Sequence, residues 1–262
     1  MLLEFRRYGT QGMPVLVLLH GMGSASTVWK PLLPNLVNQY DVITLDFPGH
    51  GETPFDPGSP MDPASLGLLV TRTLERIGIS KANFVGNSLG GWVALEIAAH
   101  QPEKVISVTG LAPAGLWLNA YTKIRPSTAT SRHIAKRTQL IQPILLRMNW
   151  SKRIGFAPTS PKWRDLSYET CLDAARAMGR CDGYFPAWYS MLYRRFDAPI
   201  SNQIPITIVF GDQDQVLPAY SCQERSLLPP HARWVRLSDC GHAPQWDCVQ
   251  DVANLIKTTV SA

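Results

Sequence analysis

The chain has 262 residues, 45% hydrophobic and 17% charged, with a formal net charge of +5. That make-up suits one large packed domain, or a domain with a sizeable insertion, and argues against intrinsic disorder. No apolar run approaches the roughly 20 residues of a membrane-spanning helix, and Met1–Arg7 lacks the apolar stretch of a secretory leader.

Val15–Leu19 is continuous and apolar, as a strand buried on both faces must be. Asp41–Asp46, Asn83–Val85 and Val105–Val108 read as further strands. Between them, Leu66, Leu69, Val70, Thr73, Leu74 and Ile77 keep helical spacing and predict a helix over Pro63–Ile77. Leu89–His100 reads as a second helix, with Pro102 at its end. Strands alternating with helices predict an α/β fold, a mostly parallel central sheet with helices on both faces. The alternation breaks after residue 112. Residues 113–200 read as irregular helices interrupted by Pro126, Pro143, Pro158, Pro161 and Pro186. Strands resume at Ile206–Phe210 and Trp234–Leu237, and a last helix is expected over Gln245–Lys257. The predicted organisation is a core in two segments, 1–112 and 201–262, split by a helical lid over 113–200.

Charge follows the same division. Pro113–Ile200 holds fourteen Lys or Arg against five Asp or Glu, a net of +9, and the rest of the chain has a net of −4. The segment has no RNP, zinc-finger or basic-zipper pattern, so nucleic acid is not an expected partner. A solvated basic face and an attraction for an anionic substrate or partner both fit. Stable membrane insertion is not expected. The five cysteines include no CxxC pair, which argues against a disulfide framework or a zinc site and predicts a reducing, cytoplasmic setting.

The sharpest local signal is Gly86-Asn87-Ser88-Leu89-Gly90, a G-x-S-x-G pattern placed after a strand and before a helix. A serine on such a turn projects its hydroxyl from the sheet, and the backbone passes so close that small residues must flank it. The following helix aims its free N–H groups at the same place. A serine hydroxyl needs a base. Of the six histidines, His242 lies in a loop between the last strand and the last helix, and it comes after Ser88 and a candidate acid in the chain. His20, His50, His100, His133 and His231 read as structural. The acid comes from Val209-Phe210-Gly211-Asp212-Gln213-Asp214, which offers Asp212 and Asp214 just past a strand; Asp239 is a further alternative.

Together, Gly86–Gly90, Gly211–Asp214 with Pro218, and Gly241-His242 resemble the α/β-hydrolase family, over about residues 2–112 and 201–260. The resemblance implies a lid over the serine and an acid at the fourth position of a Gly-x-x-Asp loop, which is Asp214. It implies oxyanion donors in the backbone N–H groups of Met22, after His20-Gly21, and of Leu89, after the serine. Asp46-Phe47-Pro48-Gly49-His50-Gly51-Glu52-Thr53 is similar to a further family segment, to which a structural role is assigned. A serine nucleophile sets the chain apart from the dehalogenase and epoxide-hydrolase branches, which use an aspartate.

The resulting expectation is a serine hydrolase acting on a carboxylic ester or related acyl bond of a small molecule, without metal or organic cofactor. C–C bond hydrolases of ring-cleavage products, lactonases, thioesterases and cofactor-free perhydrolases share this machinery and stay open. A non-catalytic binding protein of the same fold is the alternative from a different class. The sequence leaves the oligomeric state open.

Overall fold

The computed structural model describes residues 1–121 and 126–262, so Lys123 and Arg125 of the basic segment lie outside the described residues. Seven strands form one sheet: β1 (Phe5–Gly9), β2 (Val15–Leu19), β3 (Asp41–Leu45), β4 (Ala82–Asn87), β5 (Val105–Leu111), β6 (Ile206–Gly211) and β7 (Arg233–Leu237). Their order is β1-β3-β2-β4-β5-β6-β7. β1 pairs antiparallel with β3, and every other pairing is parallel. The mostly parallel sheet was legible from the buried apolar runs. β1 was not: it is an edge strand, Phe5 is exposed, and its short run shows no core-facing pattern.

This order contains one reversal. From β2 the chain steps outward to β3, then crosses back to β4 on the other side of β2 and continues to β7. The loops leaving β2 and β4 therefore diverge at the carboxyl ends of adjacent strands, which opens a crevice there.

Helices cover both faces. α1 (Pro63–Arg76) and α2 (Leu89–His100) pack with Phe84, Leu66 and Val93 in one buried layer. α1 begins where its periodicity begins, with Asp62 accepting the Ser65 N–H at 3.1 Å and Pro63 in the first turn. Among the described residues, five helices lie between β5 and β6: α3 (Ala129–Arg137), α4 (Gln142–Leu145), α5 (Asn149–Phe156), α6 (Tyr168–Arg180) and α7 (Tyr184–Met191). They hold a small core of their own around Leu146, Phe156, Trp163, Leu166 and Cys171. Two of the prolines read as interruptions sit inside helices. Pro143 and Pro186 occupy the first turns of α4 and α7, where the missing N–H costs nothing.

The chain then adds α8 (Ala219–Cys222), α9 (Pro244–Asp247) and α10 (Val249–Val260). The expected final helix is thus two, parted at Cys248 with φ −136° and ψ 51°. On the second face α10 packs Val252 and Ile256 with Trp29 and Leu36.

The tightest packing is where β4 meets α2. A Cβ on Gly90 would lie 2.1 Å from the Leu19 carbonyl oxygen, and one on Gly86 2.1 Å from the Gly90 carbonyl oxygen. Gly90→Ala should therefore cost at least about 2 kcal/mol and lower the urea unfolding midpoint. Gly155→Ala is the contrast: it lies in α5 with nothing within 4 Å of its added Cβ, so the same measurement should find it neutral or slightly stabilising.

Candidate active site

Ser88 sits between β4 and α2 with φ 53° and ψ −115°. A non-glycine residue pays for positive φ, and the surroundings enforce it. The Ser88 N–H donates to the Leu111 carbonyl at 3.0 Å, and the Ser88 carbonyl accepts the Ala114 N–H at 2.9 Å. The residue lies at the strand-to-helix turn that the G-x-S-x-G pattern predicts, and it is clamped to β5 and its outgoing loop. Leu89 opens α2, so its N–H has no carbonyl in a preceding helical turn.

Of the three candidate acids, Asp214 meets the histidine. The His242 Nδ1–H donates to Asp214 Oδ2 at 2.9 Å, with both residues buried. Asp214 Oδ1 accepts the N–H groups of Val216 at 2.9 Å and Leu217 at 2.8 Å. These contacts fix the carboxylate before it meets the ring. With Nδ1 as donor, His242 Nε2 keeps a free lone pair. Asp212 and Asp239 do other work. Asp212 accepts the Cys240 N–H at 3.3 Å, and Asp239 accepts from the Gln213 amide at 3.1 Å. Both are exposed.

Sequence reasoning missed the residues that place the His242 loop. The Asn87 side-chain amide donates to the carbonyls of Leu111 at 3.0 Å and His242 at 3.1 Å, tying the turn that carries Ser88 to the loop that carries His242. The Gln245 amide donates to Asn87 Oδ1 at 3.2 Å. The His242 N–H donates to the Thr159 carbonyl of the inserted segment at 2.8 Å. Asp247 Oδ2 accepts the Gly241 N–H at 2.8 Å, and its Oδ1 accepts from the Ser160 hydroxyl. Burial raises the Asp247 carboxyl above its usual range. Only Asn87 carried a signal, by its place inside the serine motif.

Ser88, His242, Gly21 and Met22 all line one cavity of about 400 Å³ that runs beneath the inserted helices. Its wall is largely apolar, with Leu145, Leu146, Ile154, Phe156, Met178 and Trp246 among the lining residues. Gly21 passes the serine closely: a Cβ there would lie 3.2 Å from Ser88 Cβ. Among the described residues, no cluster of three or more His, Cys, Asp or Glu is arranged to hold a metal ion.

A profile described as the alpha/beta hydrolase fold matches residues 14–248. The chain belongs to the alpha/beta-hydrolase family. Over 94% of its length it is 27% identical to the dihydrolipoyllysine-residue acetyltransferase component of the acetoin cleaving system of Cupriavidus necator. It spans only 63% of that relative. It is 31% identical to "Putative carbamate hydrolase RutD" of Stutzerimonas stutzeri, over 88% of this chain and 85% of the relative. Its backbone is similar to the crystal structure of the carboxylesterase CesB from Bacillus subtilis, with a TM-score of 0.74, 17% identity, and coverage of 98% of this chain and 86% of the other.

Within this alpha/beta-hydrolase the segment from Asp46 to Thr53 is structural, as expected. Asp46 accepts the Ser26 N–H at 2.6 Å and the Glu52 N–H at 3.0 Å, while the Thr53 hydroxyl donates to the Asp46 carbonyl at 2.7 Å. His20 braces the loop before Met22: Nδ1 donates to the Gly21 carbonyl at 2.8 Å and Nε2 accepts the Phe47 N–H at 3.0 Å. Burial lowers the His20 pKa, opposed by nearby Asp46.

His50 donates from Nδ1 to the Pro48 carbonyl at 3.0 Å. Burial first, and then the neighbouring His20, lower it to about 3. The unfolded chain therefore binds a proton at His50 between its ordinary value near 6.5 and about 3, where the folded chain does not. The folded state is thus favoured more strongly as pH rises through that window, and the benefit is complete above it. Thermal melts from about pH 7 to about pH 5 should show a smaller loss of Tm for His50→Gln than for the natural chain. An identical loss would contradict a neutral buried His50.

Proposed function

We propose that this alpha/beta-hydrolase is a serine hydrolase that cleaves a carboxylic ester of a small molecule with a medium-sized apolar part. The observation that carries the reading is the Asp214–His242 hydrogen bond of 2.9 Å, which belongs to a histidine lining the same cavity as Ser88. In this reading Ser88 Oγ attacks the ester carbonyl carbon while His242 Nε2 takes its proton. Asp214 holds the ring in the Nδ1–H form and stabilises it when protonated. The carbonyl oxygen gains a negative charge and rests against the N–H groups of Met22 and Leu89. Each such donor is worth about 3 kcal/mol in the transition state.

As the carbonyl re-forms, the bond to the alcohol oxygen breaks, and His242 returns the proton to that oxygen. The acyl group now sits on Ser88. Water, losing a proton to His242, attacks the acyl carbon; the bond to Ser88 Oγ then breaks, His242 returns the proton to that oxygen, and the acid product leaves.

The cavity argues for an ester rather than the small carbamate named for RutD of Stutzerimonas stutzeri. A largely apolar cavity of about 400 Å³ is far larger than a carbamate ion fills. Lactones, thioesters and C–C substrates of similar bulk would meet the same machinery.

A fluorophosphonate probe should label the natural chain and fail to label Ser88→Ala; absence of labelling in the natural chain would defeat the enzyme reading. Asp214→Asn should lower kcat by about 10⁴, while Asp212→Asn should stay within about threefold of the natural chain. Across p-nitrophenyl esters, kcat/KM should favour short to medium acyl chains. Activity confined to very long chains would contradict the assignment.

A further inference from the structure

The inserted helices carry a feature that the chemistry at Ser88 does not use. From Lys104 to Arg164 the sequence contains eleven Lys or Arg and no Asp or Glu. In the same span the protein exposes large apolar side chains. Leu140 is 97% exposed, Ile144 62%, and Trp150 and Ile154 58% each. Ile134, Ile141 and Met148 are exposed as well. Single exposed apolar residues need no explanation, but this concentration does.

Local geometry gathers them. Helical turns continue from Thr138 to Met148: the N–H of Ile141 donates to Thr138, that of Leu145 to Ile141 and that of Met148 to Leu145, at 2.9 to 3.0 Å. The spacing of Ile141, Ile144 and Met148 puts them on one outward side of these turns. Gln142 and Leu146 on the other side are buried and line the cavity. The segment thus buries Leu146 on one side and leaves Ile141, Ile144 and Met148 outward on the other, an apolar face that the fold does not consume. Exposed Lys136, Arg137, Arg147 and Arg153 are interleaved with the outward residues.

We propose that this face of the lid docks on an anionic lipid surface. Charge excludes a second copy as the natural occupant, because two faces of the same sign repel. An anionic leaflet attracts each nearby Lys or Arg, and its acyl region takes up Leu140 and Ile144. Nucleic acid would satisfy the charge but offers the apolar side chains no comparable medium. The docked depth is that of a helix lying in the headgroup boundary, about 5–10 Å. Among the described residues no helix is long and apolar enough to cross a membrane. Ile134, Trp150 and Ile154 both border the cavity and belong to the exposed set, so a docked lid presents the cavity mouth to the lipid. That last consequence rests on the ester-hydrolase reading; the docking does not.

Vesicle co-sedimentation of the full chain tests the proposal without any turnover. The chain should bind phosphatidylcholine vesicles containing roughly one-third phosphatidylglycerol, and bind on the order of tenfold less to pure phosphatidylcholine or at high salt. Leu140→Ser combined with Ile144→Ser should weaken binding on the order of tenfold at an unchanged melting temperature. Lys136→Glu combined with Arg147→Glu should remove the preference for the anionic lipid. The proposal is overturned by no binding to either vesicle, by full binding of the Leu140→Ser/Ile144→Ser variant, or by a dimer in light scattering that this variant dissolves. Vesicle binding without fluorophosphonate labelling would leave docking intact and remove the hydrolase reading instead.

Discussion

The structure depends on how closely the turn after β4 approaches β2. Gly90 rests against the Leu19 carbonyl with no room for a side-chain atom. Because α2 starts against the sheet there, Ser88 is held beside the loop after Leu19, where a Cβ on Gly21 would lie 3.2 Å from Ser88 Cβ. The cost is visible in the Ser88 backbone at φ 53°. That strain is offset by the hydrogen bond the Ser88 N–H donates to Leu111 and the one its carbonyl accepts from Ala114, residues of the next strand and the loop beyond it. Strain at one residue is thus held by backbone pairing across two strands, which neither side chains nor solvent can relax.

The histidine loop has no such regular frame. β7 ends at Leu237, and the segment to Pro244 is irregular. Its position is set piecewise: Asn87 holds the His242 carbonyl, Thr159 accepts the His242 N–H, and Asp247 accepts the Gly241 N–H. One of these tethers comes from the turn that carries Ser88, one from the inserted segment and one from the helix just downstream. A histidine 154 positions after the serine in sequence is therefore registered against the serine's turn through the backbone carbonyl that Asn87 holds.

Much of this was legible before the structure. Buried strands such as Val15–Leu19 announce themselves because both faces must be apolar, and the serine motif announces itself because steric closeness dictates glycine. The family resemblance, through its Gly-x-x-Asp loop, favoured Asp214 over Asp212, a choice the residues alone left open, and Asp214 is the one that bonds His242. What escaped has a common cause. β1 is a half-exposed edge strand with little to pattern it. The break at Cys248 comes from backbone geometry that no residue type forces. Gln245, Asp247 and Thr159 act through contacts between segments far apart in sequence, and no local spacing encodes such contacts. Pro143 and Pro186 misled for the opposite reason. A proline reads as an interruption until its position within the helix is known, and in the first turn it is well placed.

The inserted segment is more than a cover over the sheet. α5 ends at Phe156, and three residues later the Thr159 carbonyl holds His242. On its other side the same helix turns Trp150 and Ile154 outward while both also border the cavity. One short helix therefore faces the surroundings, the cavity and the histidine loop. The small core beneath it, around Leu146, Phe156 and Trp163, is built from the inserted segment itself, and Trp246 packs against it from the histidine side. The inserted segment's geometry and the placement of His242 are thus solved by the same packing, and a sequence change that loosens this small core would disturb both.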